Sequence, residues 1–157
     1  TGEGATLMKM EGNARVYLAD AAKRVHVLSL EGEGISVNGN DLLALESTLD
    51  WDIVMLKSVA GALSGGLFNV QISGRGLVAI TTHGDPLVLP VTRTRPVHTD
   101  PQATVAWSGN LQPDMHTDIS LGTLVGRTSG ESVQMRFKGD GWVMVQPYEE
   151  GPVLSGR

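Results

Sequence analysis

Three side chains open a chemical question. His98, Asp100 and His116 have the residue types of a two-histidine, one-carboxylate iron site. Residues two apart on a strand project from the same face, so His98 and Asp100 would share one. Pro101 follows Asp100 and signals a turn there, which competes with the metal reading. A second candidate is Gly74-Arg75-Gly76, which has the outline of a phosphate loop. A phosphate loop joins a strand to a helix N-terminus, whose free N–H groups meet the anion. Here Leu77 to Thr82 alternate and are β-prone, and neither a third glycine nor a Walker pattern is present. The motif is therefore read as a tight turn between two strands. The same reading covers Gly12-Asn13-Ala14 and Gly139-Asp140-Gly141. Serines lack the Gly-x-Ser-x-Gly context of a nucleophile elbow. Glu46, Asp50 and Asp52 surround Trp51 and read as exposed carboxylates beside a turn. No catalytic residue, cofactor or metal ligand set is assigned, and the chain is expected not to be an enzyme.

Bulk properties bound the partners. The 157 residues suit one domain, and 41% hydrophobic against 18% charged residues is the balance of a globular chain. A net charge of -5 repels a phosphate backbone, so nucleic acid is not the expected partner. The chain has no cysteine, which excludes disulfides and thiolate sites and fits a cytoplasmic setting. No apolar run reaches the length of a membrane span. The chain begins at Thr1, which suggests a fragment.

The elements that must position these groups are strands. Met8 with Met10, Val16 with Leu18, Val25 with Val27, Val70 with Ile72, Val78 with Ile80, Met135 with Phe137 and Val143 with Val145 all recur with period two. His26 falls on the outward side of its strand. Asp52 to Leu63 reads as a strand running into a loop. Shifting the chain by 62 residues keeps apolar positions in register: Val16 meets Val78, Val25 meets Leu87, Ile35 meets Val97, Leu49 meets Leu111 and Ile53 meets Met115. The expectation is an all-β single domain, residues 1–157, of stacked antiparallel sheets with an internal pseudo-twofold repeat. The repeats span about 6–55 and 68–117, with a partial third copy at 133–146. Lys57–Gly66 and Thr117–Ser132 are the glycine- and serine-rich connections.

The stretches GEGATLMKMEGNARVYLAD, NVQISGRGLVAITTHGDPLVLPV, ATVAWSGNLQPDM and MRFKGDGWVMVQP together resemble the "altered inheritance of mitochondria" family, also described as TRAP-like for its similarity to the tryptophan RNA-binding attenuation protein. The resemblance runs from Gly2 to about Tyr148. It implies a sandwich close to a double-stranded β-helix, and homo-oligomers, often trimers. It carries over no catalytic residue.

From these readings the expected function is a non-enzymatic scaffold or protein-interaction module of a bacterial cytoplasm, associating with itself and with a further protein. The alternative is a small-ligand or RNA-binding regulator by analogy with the attenuation protein. Against RNA, the positions that match Arg93 and Arg95 one repeat earlier are Glu31 and Glu33. Leu63, Leu67, Phe68, Trp107 and Trp142 are the interface candidates. Val59 to Phe68 is apolar yet loop-like, and tryptophans anchor interfaces as readily as cores.

Overall fold

The computed structural model describes residues 7–55, 68–118 and 132–149. Ten strands and no helix occur among the described residues. In chain order they are β1 Arg24–Asn38, β2 Leu42–Leu45, β3 Asp50–Met55, β4 Phe68–Thr82, β5 Leu87–Val91, β6 Val97–Thr99, β7 Thr104–Ser108, β8 Asp114–Asp118, β9 Ser132–Phe137 and β10 Gly141–Val145. All pair antiparallel. A seven-stranded sheet runs β2-β4-β1-β7-β10-β5, with β3 also on β4, and a three-stranded sheet runs β6-β9-β8. The all-β class and the antiparallel, sandwich-like packing are those expected from the alternation.

The longest ladder is β1 on β4, from Arg24 opposite Thr82 to Asn38 opposite Asn69. Between Glu31–Arg75 and Gly34–Ser73 the register shifts, so that Gly32 and Glu33 stand against Gly74 alone. An extra residue on one strand is a β-bulge, which bends and twists the ribbon. Gly74 has φ 114°, a backbone region that favours glycine.

The Gly-Arg-Gly reading is thereby corrected. β4 passes through Gly74 and Gly76 without a break, so the motif is a bend inside one 15-residue strand and not a hairpin turn. The reason is the partner. β1 carries its own bulge opposite the glycines, and the two strands bend together instead of reversing. At Gly139-Asp140-Gly141 the chain does leave one sheet, at β9, and enters the other at β10.

Two clusters form the core. Leu30, Ile35, Val37, Ile72, Val78 and Ile80 lead the first. Val91, Trp107, Leu111, Met135, Phe137 and Val143 form the second. β7 is buried along its whole length because it is paired on both edges, with β1 and β10. Trp107 meets Phe137 edge to face at 5.5 Å between ring centroids.

One expected set of strands is absent. Residues 7–23 contain no strand, although Met8, Met10, Val16 and Leu18 alternate as a strand would. Alternation prepares a chain to bury one face of a ladder, but a ladder needs a partner edge. None of the ladders includes these residues.

Candidate interaction surface

The structure separates the three proposed iron ligands. His98 is exposed on β6, opposite Arg136 of β9. Asp114 of β8 lies on the other side of Arg136, and His116 lies opposite Gln134. The two histidines thus stand on strands either side of β9, roughly 12 Å apart at two strand spacings across and two residues along, and Arg136 stands beside His98. Asp100 belongs to a turn: its Oδ1 accepts from Gln102 N at 2.8 Å and its carbonyl accepts from Thr104 Oγ1 at 2.6 Å. Among the described residues no group of three histidines or carboxylates is arranged to hold a metal ion. The structure does not bring His98, Asp100 and His116 together.

The interface candidates divide. Leu63 and Leu67 lie outside the described residues. Trp107 is only 2% exposed within a single chain, so it is a core side chain and not a contact surface. Trp142 is half-buried and packs against the first cluster. Phe68 is half-buried, and its ring covers Gly39 so closely that a Cβ there would lie 1.8 Å from Phe68 Cε2. These residues hold the fold together.

His26 is also placed differently from expectation. It is half-buried, with Nε2 2.7 Å from Thr82 Oγ1. Asp50 and Asp52 are exposed beside the partly exposed Trp51. With Gly34, Gln71 and Gly109 these three border an open cleft of about 440 Å³. Glu46 turns away from them, since its Oε2 accepts from Leu77 N at 2.8 Å.

What remains open is a strip of surface around β2. The segment 7–19 exposes its large apolar side chains on both sides, with Met8 82% and Tyr17 83% exposed and Met10, Val16 and Leu18 also open. A soluble chain seldom leaves such a run uncovered unless something docks there. The root of this arm is fixed. Lys23 N bonds Asp20 O at 2.7 Å, and Lys23 Nζ lies 3.3 Å from Asp41 Oδ1 and 3.4 Å from Asp20 Oδ2. The Lys23 side chain is 5% exposed and that of Asp41 is fully buried. Thr81 Oγ1 adds a bond to Asp20 Oδ2 at 3.3 Å. Asp41 immediately precedes β2, so the arm leaves the fold beside that strand. Among the described residues β2 pairs with β4 alone, on one side. Sequence reasoning missed this arm because it assigned the segment to a sheet. The two alternating runs were expected to pair across a turn at Gly12-Asn13-Ala14, and no ladder joins them.

Comparison with known proteins adds a family and a fold. The family model "Mitochondrial biogenesis AIM24" matches residues 1–148. No curated protein matches the chain. Among solved structures, the crystal structure of protein SPYM3_0169 from Streptococcus pyogenes is similar, with a TM-score of 0.65 at 23% identity. The match covers 80% of this chain and 55% of that one, so this chain spans about half the length of that relative. At this identity the likeness concerns the fold alone.

Proposed function

The chain belongs to the AIM24 family, and from that premise we propose that it is a non-enzymatic scaffold or interaction module that works as a homo-oligomer in a bacterial cytoplasm. The observation that carries the reading is the exposed apolar arm, residues 7–18, beside the open edge of β2. Such a surface is covered when chains associate. The test is the mass in solution by light scattering. Association gives a multiple of the 16.6 kDa chain, whereas a 16.6 kDa particle across the micromolar range rules the reading out. Against the regulator alternative, Arg93 Nε is held 2.8 Å from Asp140 Oδ2, so one of the two neighbouring arginines, Arg93 and Arg95, already faces a carboxylate rather than a phosphate.

The reading includes a duplicated build, drawn as units 24–82 and 87–145. Ladder registers support it. Leu45 faces Val78 as Trp107 faces Val143, Ala44 faces Ala79 as Ala106 faces Met144, and Leu42 faces Ile80 as Thr104 faces Val145. Both ladders skip a residue at the same step, Leu43 and Val105. Ile53 faces Val70 as Met115 faces Met135, and Val37 faces Val70 as Thr99 faces Met135. The exposed ion pair Glu31–Arg75 has a counterpart with the charges exchanged, Arg93–Asp140. On this reading residues 133–146 hold the two closing strands of the second unit, β9 and β10, and not a third copy. The correspondence at β5 is also one residue off the shift of 62. Leu30 opposite Gly76 answers to Val91 opposite Gly141, a separation of 61.

A further inference from the structure

The two units meet at one internal junction, and each has an edge of the same kind left open. β1 pairs with β7 through Ile35–Ser108, Ser36–Trp107 and Val37–Ala106. β2 is the counterpart of β7, yet among the described residues only β4 lies beside it. β6 is the counterpart of the end of β1, yet among the described residues only β9 lies beside it. The free side of β2 therefore presents what β7 presents to β1, and the free side of β6 presents what β1 presents to β7. An open strand edge carries unpaired N–H and C=O groups and is a template for another strand. At β2 this can be traced atom by atom. Glu46 N donates to Leu77 O at 3.0 Å, so strand alternation turns the neighbouring Leu45 N–H away from β4 and toward the free edge.

We propose that the β2 edge of one copy pairs antiparallel with the β6 edge of a second copy, in the register of the internal junction. The inference rests on the homo-oligomer reading and names its surface. Moving the internal register by 62 residues sets Glu46 opposite Val97, Leu45 opposite His98 and Ala44 opposite Thr99. The pairing ends there. Inside the chain, Gly109 N donates to Gly34 O at 2.8 Å, and a Cβ at Gly109 would lie 2.7 Å from the Gly34 carbonyl carbon. The counterparts, Ser47 and Pro96, both carry side chains, so the strands part beyond Val97. Three residue pairs are a short ladder. The apolar arm rooted next to β2 supplies the rest of the contact, by covering Met8, Val16 and Tyr17 against the neighbour. Because two different edges meet, the contact is head-to-tail, and it closes into a ring or continues as a filament according to the rotation between copies.

The chain has no cysteine, so introduced pairs report without background. Gly34–Gly109 is hydrogen-bonded, which makes Val37–Ala106 a close pair of the non-bonded type, and Ala44 with Thr99 its counterpart between copies. The double variant Ala44→Cys, Thr99→Cys is expected to give covalent dimers and higher species on mild oxidation. Each single variant gives none, since a head-to-tail contact does not bring identical residues together. In the unaltered chain, amide exchange at Leu45 and His98 is expected to slow severalfold as concentration rises through association, a readout that does not depend on the variant folding. An oligomeric mass without the disulfide and without that protection overturns the register while leaving self-association standing. A monomeric mass at every concentration overturns both.

Discussion

Lys23 and Asp41 show how much one pair of residues does. Both side chains are taken out of water, and the ammonium also reaches the Asn40 carbonyl at 3.2 Å. Removing one partner of a buried pair leaves a charge without compensation, and this costs about 3–5 kcal/mol. Lys23→Met is therefore expected to lower the urea unfolding free energy by about that amount. A change of a few tenths would show that water reaches Asp41 freely. Trp107 is the second decisive residue. It closes the second cluster against Phe137, so Trp107→Ala is expected to cost about 3–5 kcal/mol, read in the same unfolding experiment. Neither role was legible beforehand. Lys23 looks like any surface lysine in the sequence, and the type of Trp107 fits an interface as well as a core. Burial depends on which strands lie on either side of a residue, and β7 has neighbours from both halves of the chain.

Elements were easier to read than their order. Period-two alternation located β1, β4, β9 and β10, because each buries one face or both. Alternation could not reveal that β9 runs between β6 and β8, and that order is what parts His98 from His116. It also misjudged Gly74 and Gly76, since glycines inside a strand signal equally a reversal and a bend. The register slip at β5 has the same origin. Between Val91 and Val97 the chain makes the Thr92–Arg95 turn, one residue longer than the bulged stretch of β1 between Leu30 and Ile35. One residue suffices to exchange the faces of a strand. The element scale yields two contrasting predictions. Gly109→Ala forces a Cβ into the backbone of Gly34 and is expected to destabilise by about 1–3 kcal/mol, because neither strand at the β1–β7 junction can move alone. Arg93→Ser breaks an ion pair of similar prominence, but both partners are well exposed, so the expected change is below about 1 kcal/mol. If thermal unfolding ranks these two the other way round, the β1–β7 junction yields to the added methyl.

At the scale of the whole molecule the question is what a fold with open edges and an uncovered arm is for. The core clusters are complete within one chain, with Val37, Ile80, Val105, Phe137 and Val143 fully buried, so the fold does not need a partner to fill its interior. The arm makes no ladder, and its apolar side chains stand in water. Stability and association should therefore separate cleanly. The triple variant Met8→Ser, Val16→Ser, Tyr17→Ser removes apolar surface that the single chain leaves exposed. It is expected to keep the urea midpoint of the isolated chain nearly unchanged while weakening association at least tenfold, since losing about 1.4 kcal/mol of contact corresponds to that factor. Sedimentation across a concentration series reads the second quantity and urea unfolding at low concentration the first. A variant that associates as the parent does would mean that the arm is a bystander and that any contact between copies lies wholly on strand edges. One that loses stability in the monomer would mean that the arm packs on its own chain and is not a surface kept for a partner.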